Sequence, residues 1–298
     1  MTKVGIIGTG MLGNSVGIHL LESGFDLIVF NRTKEKTNEL KNKGAKIADS
    51  PKNVAENSEL IITIVKDADA VKQISFGKNG IVEGYHEGLV VADMSTINPI
   101  ESKNISKKFL EFNITKIDIP VMGGPNVAKT GDLVLMASGN EKTFNKFKNV
   151  FEKIASKTFF LGEEGTAHLV KLSMNLQITM LALSLSEGIM LARNANVDPK
   201  IFLDILNSTY FKTGMSENKA YKMIQDEFSP TFTLANLKKD ISIITDTANS
   251  LGINLPMIKK AEEVFTDAVK QGFGEIDYTG ILAYIKKIND LQDHKNHD

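Results

Sequence analysis

Two polar residues interrupt a long apolar stretch of the chain at a spacing that suits catalysis. Lys171 and Asn175 lie four residues apart within residues 168–194, a segment with no proline and a single glycine. On a helix this spacing places both side chains on one face, one turn apart. Because burial disfavours the ammonium form of a lysine, a buried lysine suits proton transfer. The spacing alone equally allows a lysine that extends its charge to solvent from a partly exposed helix.

A glycine-rich turn near the start of the chain indicates a dinucleotide site. The segment Gly8-Thr9-Gly10-Met11-Leu12-Gly13 matches the pattern G-x-G-x-x-G between an apolar strand and a helical pattern. Gly8 allows the tight turn, Gly10 lets the backbone approach the pyrophosphate, and Gly13 lets the helix pack on the strand. The free N–H groups at the helix start favour the phosphates. We therefore predict that this segment binds the cofactor.

The residues that end the second strand of such a unit select between NAD and NADP. NAD enzymes carry Asp or Glu there, which accepts a hydrogen bond from the ribose 2′-hydroxyl. This chain has Asn31, Arg32 and Thr33 instead. Asn31 does not repel a 2′-phosphate, Arg32 can bind it with two hydrogen bonds, and Thr33 can donate to it. We predict NADP(H) in preference to NAD(H), although Arg32 as a solvated loop arginine is the alternative.

Other strand ends carry further candidate residues. Val65 and Lys66 end an apolar segment, and we expect them to lie along the cofactor. Ser95 and Thr96 follow another strand end, where ligands bind in Rossmann-type sheets, but they can also cap a helix that starts at Pro99. Because no His, Asp and Glu residues show convincing ligand spacing, we predict no metal.

The first half of the chain alternates short apolar segments with helical patterns such as Leu12–Ser23 and Lys34–Lys43. This alternation predicts an α/β fold with a parallel, doubly wound sheet of the Rossmann type, whose strands are buried on both faces. Two more strands, Leu133–Ala137 and Thr158–Leu161, are expected to close the domain. The predicted sheet strands are Val4–Ile7, Leu27–Phe30, Leu60–Val65, Val90–Asp93 and Ile114–Asp118.

Strand patterns disappear from Gly165 onward. His168–Asn194 predicts a long connecting helix of about 40 Å, apolar enough to be buried on more than one side. We predict an NADP-binding Rossmann domain over residues 1–163 and an all-α substrate and oligomerisation domain over residues 164–298. Its polar tail, Asp290–Asp298, is expected to fray. The other predicted helices are Pro199–Leu206, Asn218–Gln225, Leu234–Leu251, Pro256–Gln271 and Ile276–Ile288.

Composition excludes several classes of function. Lys and Arg total 35 and Asp and Glu total 36, so the net charge of the chain is close to zero. Because nucleic acids and anionic membranes attract basic proteins, we expect neither as a partner. The absence of cysteine excludes disulfides, a thiolate nucleophile and a zinc–sulfur site. The first residues lack a signal-peptide pattern, and no run of about 18 uncharged apolar residues predicts a membrane helix. These features favour a cytoplasmic protein.

In five segments the chain resembles the β-hydroxyacid dehydrogenases, which include 3-hydroxyisobutyrate dehydrogenase and the glyoxylate/succinic semialdehyde reductases. The resemblance spans nearly the whole chain and implies a Rossmann domain, a long helix and a helical domain like the C-terminal part of 6-phosphogluconate dehydrogenase. It also implies a homodimer or homotetramer. The segments are Gly8–Gly13, Asp93–Pro99, Asp118–Gly124, Gly165–Asn175 and Phe232–Asp240.

The resemblance also implies roles for individual residues. Lys171 matches the family's general acid/base, and Asn175 matches the residue that orients the substrate. Thr96 is implied to approach the nicotinamide, Lys239 to reach the same region, and Phe232 to cover the cofactor.

The clearest departure from the family pattern is Met122, which replaces a serine that helps to hold the substrate carboxylate. Methionine cannot donate a hydrogen bond. The amides of Gly123 and Gly124 can suffice for a carboxylate, or the substrate is less polar at that end, or the site has drifted. We assign Met122, Gly123 and Gly124 to substrate binding together with Lys171 and Asn175.

The resulting prediction is an NADP-dependent oxidoreductase that interconverts a small aldehyde or keto acid and its hydroxy acid. Lys171 opposes the alternative of an imine reductase-like enzyme, which usually carries Asp or Tyr there, whereas Met122 favours that alternative weakly. A non-catalytic NADP-binding, oligomeric module is a second alternative, opposed by the presence of Lys171 and Asn175. A true 6-phosphogluconate dehydrogenase is disfavoured because that enzyme resembles a much longer chain.

Overall fold

The computed structural model describes residues 2–289. The chain divides into two compact units between Leu172 and Ser173, inside the long helix. The first turns of that helix group with the first unit because Gly165 and Ala167 donate backbone hydrogen bonds to side chains of that unit. The predicted domain bounds, residues 1–163 and 164–298, stay a prediction. The predicted tail, residues 290–298, lies outside the described residues.

A parallel sheet of six strands forms the centre of the first unit. The strands lie in the order β3-β2-β1-β4-β5-β6, and every neighbouring pair is parallel. This is the order of a Rossmann-type doubly wound sheet, so the predicted fold class is confirmed. The strands are β1 (Lys3–Ile7), β2 (Asp26–Phe30), β3 (Lys46–Ile47), β4 (Leu60–Thr63), β5 (Val90–Asp93) and β6 (Thr115–Asp118).

Both faces of this sheet are covered. Adjacent strand residues belong to opposite hydrophobic clusters, as Ile6 and Ile7 of β1 do, because successive side chains of a strand point to opposite faces. The predicted helix Lys34–Lys43 is divided into a 3₁₀ turn, Lys34–Thr37, and helix α2. The helices are α1 (Met11–Glu22), α2 (Asn38–Asn42), α3 (Pro51–Glu56), α4 (Ala68–Phe76), α5 (Pro99–Leu110), α6 (Pro125–Ala128), α7 (Glu141–Lys146) and α8 (Lys148–Ile154).

A second, three-stranded sheet completes the first unit. Strands β7 (Val121–Met122), β8 (Leu133–Ala137) and β9 (Ala155–Phe160) form a sheet of their own. The last two are the strands expected to close the domain, although β9 begins three residues before its predicted start at Thr158. The chain leaves the main sheet at Pro120, which has no N–H to continue a ladder. Strand β7 then pairs antiparallel with β8, and β8 pairs parallel with β9.

The second unit is helical, as predicted, apart from a single β-bridge between Thr233 and Asp277 within the described residues. The predicted helix at residues 218–225 corresponds to the shorter helix Ala220–Ile224, and the helix before it, Gly214–Asn218, was not predicted. The predicted helix at residues 256–271 ends early in a π turn, Val269–Phe273, because Gly272 has a φ of +95°. The helices are α9 (Thr166–Asn194), α10 (Pro199–Asn207), α11 (Gly214–Asn218), α12 (Ala220–Ile224), α13 (Leu234–Ser250), α14 (Pro256–Ala268) and α15 (Ile281–Ile288).

Helix α9 is long and apolar enough to cross a membrane by length and composition alone, with a mean hydropathy of 1.3 over its most apolar window. Core helices of soluble proteins meet the same criterion. Its buried polar residues include Asn175, Thr179 and Ser186, each 1% exposed or less, which is typical of a helix that packs inside a protein. The expected lack of a membrane partner stays a prediction.

Candidate active site

The glycine-rich turn has the geometry that its pattern predicts. Gly8 has a φ of +105°, and a Cβ on it would lie 2.1 Å from the carbonyl oxygen of Ile64. A Cβ on Gly13 would lie 2.0 Å from the carbonyl oxygen of Gly8, so helix α1 packs on the turn only because Gly13 has no side chain. A Cβ on Gly10 would meet no atom within 4 Å. The open side of the turn is therefore at Gly10, where backbone N–H groups can approach a phosphate.

Hydrogen bonds tie this turn to the end of β2. The Thr9 amide donates to Asn31 Oδ1 at 3.0 Å, and Asn31 Nδ2 donates to the carbonyl oxygen of Thr33 at 2.8 Å. Arg32 is exposed and, among residues 2–289, makes no hydrogen bond or ion pair. Its guanidinium is therefore available to an anion beside the turn. The open backbone at Gly10 and this arginine fit a dinucleotide cofactor.

The remaining predicted cofactor residues of the first unit lie at the same edge of the sheet. The Val65 amide donates to Ser95 Oγ at 3.0 Å, which joins the loops after β4 and β5. Lys66 is exposed and Thr96 is half-buried. Because these loops follow the carboxyl ends of adjacent parallel strands, they lie where Rossmann-type sheets bind ligands. Met11, the first residue of α1, is also exposed, whereas Leu12 packs against the core.

Lys171 contacts the residue that departs from the family pattern. Its Nζ lies 3.3 Å from the Sδ atom of Met122 in β7, and both side chains are half-buried. The thioether sulfur is only a weak hydrogen-bond acceptor, so it adds little charge stabilisation to the ammonium. Gly123 and Gly124 follow directly, and Gly123 has a φ of +117°. The structure thus brings Lys171 together with the predicted substrate segment at residues 122–124.

In the second unit a carboxylate fixes the orientation of Asn175. Asn175 is 1% exposed, and its Nδ2 donates to Asp240 Oδ2 at 2.7 Å. Because a carboxylate only accepts hydrogen bonds, the amide must turn its NH₂ group toward Asp240. Asn175 Oδ1 is then left with no hydrogen-bond partner among the described residues. A buried unpaired oxygen is costly unless a ligand fills its place.

Asp240 contacts the predicted site residue Asn175, although the sequence prediction did not assign Asp240 to the site. It also forms an ion pair with Lys239, whose Nζ lies 2.8 Å from Asp240 Oδ1. Its position next to Lys239 in the matched segment was the signal that could have found it. Phe232 packs edge to face against Tyr278, with ring centroids 6.1 Å apart. The roles of Phe232 and Lys239 at the cofactor stay predictions.

A buried ion cluster lies below the first turn of α9. Asp118 and His168 are 0% exposed and Lys116 is 1% exposed. His168 Nε2 lies 3.2 Å from Asp118 Oδ1. Burial alone would raise the pKa of Asp118, but the neighbouring Lys116 and His168 hold that pKa well below its usual range.

Across residues 2–289, no group of three or more His, Cys, Asp and Glu residues is arranged to hold a metal ion.

Protein-family models match the chain in two segments. The model described as the NAD binding domain of 6-phosphogluconate dehydrogenase matches residues 3–162. The model described as the NAD-binding domain of NADP-dependent 3-hydroxyisobutyrate dehydrogenase matches residues 165–285. The chain belongs to the β-hydroxyacid dehydrogenase family. It is an NAD(P)-dependent dehydrogenase or reductase of the hydroxyacid class.

Full-length relatives agree with this family. The chain is 32% identical over 296 residues to a probable 3-hydroxyisobutyrate dehydrogenase-like protein of Arabidopsis thaliana, covering 97% of this chain and 87% of the relative. It is 28% identical to glyoxylate/succinic semialdehyde reductase 1 of the same plant, over 95% of this chain and 98% of the relative. The named activities of these relatives differ, so the family does not select one substrate.

Solved structures give the same result. A 3-hydroxyisobutyrate dehydrogenase of Salmonella typhimurium superposes with a TM-score of 0.87 at 25% identity, covering 95% of this chain and all of the other. An imine reductase from a Pseudomonas species shares the fold at a TM-score of 0.61 and 19% identity, covering 95% and 99% of the two chains. The imine reductase is the more distant neighbour of the two.

Proposed function

We propose that this chain is an NADP-dependent oxidoreductase that interconverts a small aldehyde or keto acid and its hydroxy acid, with Lys171 as general acid/base. The observation that carries the proposal is the arrangement on α9. Lys171 and Asn175 occupy consecutive turns of one helix, and Asp240 orients the Asn175 amide so that its oxygen has no hydrogen-bond partner among residues 2–289. The amine can exchange a proton with the reacting oxygen of the substrate, and the unpaired acceptor can bind a second polar group of the same substrate.

The residues of the chain supply proton transfer and orientation. The bound nicotinamide supplies the hydride in reduction and accepts it in oxidation. In reduction, Lys171 donates a proton from Nζ to the carbonyl oxygen as its carbon becomes tetrahedral. In oxidation, neutral Lys171 accepts the hydroxyl proton. Because the single proton of the reacting hydroxyl passes to or from Lys171, Asn175 Oδ1 accepts a hydrogen bond from a different N–H or O–H group of the substrate, such as a second hydroxyl. The amides of Gly123 and Gly124 are the proposed donors to a substrate carboxylate.

The preference for NADP is supported by the end of β2. Asn31 uses its side chain to hold the Thr9 amide, and neither Asn31 nor Thr33 introduces a negative charge there. Arg32 has no protein partner among the described residues, so a 2′-phosphate would not have to displace one. A guanidinium that meets a phosphate with two hydrogen bonds discriminates strongly against a ribose without that phosphate.

We further propose a homodimer or homotetramer, with the second unit providing the interface. Its support is a group of exposed apolar side chains, in which Ile205 is 62% and Phe211 is 78% exposed and Tyr210 is fully exposed. Apolar side chains this exposed are typical of surfaces that another chain covers. A cytoplasmic location stays a prediction, supported by the lack of cysteine alone.

The test of the proposed function is a parallel assay of NADPH and NADH oxidation. The panel contains glyoxylate, succinic semialdehyde, methylmalonate semialdehyde, tartronate semialdehyde and a cyclic imine. We expect turnover of at least one acid with NADPH, and a loss of about 10²–10⁴-fold in kcat in Lys171→Met, since that is the typical contribution of a general acid. Lys222→Ala, which removes an exposed lysine of α12, is the control and keeps wild-type kcat.

An imine reductase-like activity is the second candidate, and Met122 is the observation that favours it. Its thioether lies beside Lys171 where the family's serine would donate to a carboxylate. Turnover of the cyclic imine alone would support this candidate. Tight NADPH binding with no turnover of any carbonyl or imine would instead support a non-catalytic binding module.

A further inference from the structure

The mechanism above leaves one buried group of charges without a function. Asp118, Lys116 and His168 are almost completely inaccessible to solvent, at 1% exposure or less. Transfer of charges out of water costs several kcal/mol for each ion, and ion pairing often fails to recover that cost. A well-packed apolar cluster would stabilise this part of the first unit at least as well. The cluster therefore calls for an explanation other than stability.

One oxygen of Asp118 holds the start of α9 from outside the helix. Asp118 Oδ2 accepts from the Gly165 amide at 2.7 Å and from Ser138 Oγ at 3.0 Å. Ser138 Oγ accepts in turn from the Ala167 amide at 3.2 Å. The first N–H groups of any helix lack partners within it, and the first turn of α9 carries no acidic residue of its own. A carboxylate from β6 thus caps this helix, where negative charge is favourable.

The other oxygen of Asp118 fixes the carboxylate itself. Asp118 Oδ1 accepts from Ser102 Oγ at 2.6 Å and from Lys116 Nζ, and His168 Nε2 lies 3.2 Å away. These partners come from β6, α5 and α9, while Ser138 follows β8. Because groups from so many elements converge on one carboxylate, the carboxylate has little freedom to move.

A second contact ties the same two segments together. Residues 118–122 run from the end of β6 to β7, and Met122 at their far end contacts Lys171 Nζ through its sulfur. Asp118 at their near end accepts from the Gly165 amide and lies 3.2 Å from His168 Nε2, about two turns and one turn before Lys171 on the same stretch of chain. The segment that is predicted to bind the substrate and the helix that carries Lys171 are therefore fastened at two points within the first unit.

We propose that Asp118 is a positioning residue for Lys171, which holds the first turn of α9 in register with the substrate segment at residues 122–124. This inference rests on the proposed function of Lys171. Asp118 touches neither the reacting atoms nor the cofactor in this account; it acts through the helix. A misplacement of about 1 Å at a catalytic group can lower a rate about 10²-fold, so a loosened first turn should have a measurable effect on kcat.

The test separates positioning from simple stability. Asp118→Asn should lower kcat about 10- to 100-fold and leave the Kd for NADPH within about twofold, because the glycine-rich turn is untouched. It should also lower Tm, since Lys116 is left buried without an anionic partner. In the double variant Lys116→Met with Asp118→Asn the orphaned charge is gone, so Tm should recover while kcat stays low. Recovery of kcat together with Tm would overturn the proposal.

Matched controls come from the second unit. Asp277 is also a buried carboxylate, 3% exposed, and pairs with Lys219 at 2.9 Å. Asp277→Asn should lower Tm but keep kcat within about threefold of wild type. If Asp118→Asn does not fold, Ser138→Ala is the second test variant. It keeps the ion pair between Asp118 and Lys116 but removes the hydrogen bond from the Ala167 amide. Wild-type kcat in Ser138→Ala would then contradict the proposal.

A readout without turnover keeps this inference distinct from the proposed function. Amide hydrogen exchange over residues 165–171 should be faster in Asp118→Asn and unchanged in Asp277→Asn. The pH dependence of Lys171 labelling by an amine-reactive reagent should change in the first variant and not in the second. If wild type turns over no substrate, the proposed function fails while these two measurements still decide the position of Lys171. Unchanged exchange and labelling in Asp118→Asn would overturn the inference.

Discussion

At the scale of single residues, Arg32 is the proposed determinant of the preference for NADPH over NADH. We expect Arg32→Ala to raise the KM for NADPH about tenfold or more, because a hydrogen bond to a charged group contributes about 1.5–3 kcal/mol. The KM for NADH should stay within about twofold, since NADH has no 2′-phosphate. Lys34→Ala is the control, because Lys34 is a nearby exposed lysine that pairs with Asp49. Equal losses with NADPH and NADH would show that Arg32 does not recognise the phosphate.

Met122 is the second residue with a separable effect. We expect Met122→Ser to lower the KM for carboxylate-bearing aldehydes several-fold, because a hydroxyl beside Lys171 can donate to a carboxylate where a thioether cannot. The comparison variant is Met257→Ser, which changes an exposed methionine of α14. Steady-state kinetics over the substrate panel measure both. A lower kcat with unchanged KM would instead mean that Met122 mainly supports Lys171.

Three of the site's properties could be predicted from residue types alone, and two could not. The roles of Gly8 and Gly13 follow from the motif, and the structure confirms the steric reason for each. The neutral Asn31 could be foreseen, but its hydrogen bond to the Thr9 amide could not. Asp240 could not be assigned from residue types because its partner Asn175 is 65 residues away in sequence; its place beside Lys239 in the family-matched segment was the signal that pointed to it.

At the scale of elements, two glycines of the turn between β1 and α1 should have different effects on stability and on cofactor binding. Gly10→Ala adds a methyl group to open space, so we expect an unchanged Tm but a loss of NADPH binding, since the methyl occupies the approach of the pyrophosphate. Gly13→Ala places its methyl against the carbonyl oxygen of Gly8 and should lower both Tm and binding. Thermal unfolding of both variants with and without NADPH measures their Tm and the increase in Tm on NADPH binding. Normal NADPH binding by Gly10→Ala would contradict the assignment of this turn.

The contact of Asp118 in β6 with the start of α9 should affect how the free energy of unfolding depends on pH under acid conditions. The pKa of Asp118 is lowered in the folded state, so its contribution to the free energy of unfolding is present above its unfolded pKa and is lost as the pH falls toward the folded value. Below about pH 5, Asp118→Asn should therefore lose less stability per pH unit than wild type. Urea unfolding at pH 7 and pH 4 tests this. The control is Asp246→Asn, which changes an exposed carboxylate of α13 and should show the same change in the free energy of unfolding between pH 7 and pH 4 as wild type. If Asp118→Asn also shows the wild-type change, the expectation is wrong.

Element predictions succeeded where local pattern and tertiary packing agree. The buried strands Val90–Asp93 and Leu133–Ala137 have their predicted limits, because an unbroken apolar run marks a strand covered on both faces. The two-residue strands β3 and β7 were missed because so short a segment has no periodicity. The sheet to which β8 and β9 belong also could not be predicted, since it depends on the turn of the chain at Pro120.

At the scale of the whole molecule, we expect the chain to form a homodimer or homotetramer. Light scattering coupled to size exclusion should give two or four times the mass of the chain. Phe211→Glu should reduce that mass, because it places a charge among exposed apolar side chains of the second unit. Phe159→Glu is the control, because Phe159 is also exposed, at 53%, but lies in the first unit. A monomeric wild type would contradict the expectation, as would equal effects of both variants.

The two-part organisation could be predicted because the change from strand-bearing to purely helical sequence occurs once, near Gly165. The place where the two compact units meet could not, because α9 runs through it and its first turns bond to Asp118 and Ser138 of the first unit. Such long-range bonds leave no trace in local sequence. Substrate identity falls in the same class, since it depends on side chains brought together from distant segments.

The most direct test of the central claim follows hydride and proton transfer together. Wild type and Lys171→Met are each incubated with NADPH that carries deuterium at both hydrogens of the nicotinamide C4 position, and with the best aldehyde of the panel. We expect wild type to place deuterium on the former carbonyl carbon of the hydroxy acid, and Lys171→Met to bind the cofactor normally while forming this product about 10²–10⁴-fold more slowly. Unlabelled product, or equal rates for the two proteins, would contradict the assignment of this chain as a hydride-transferring reductase that uses Lys171 as its acid.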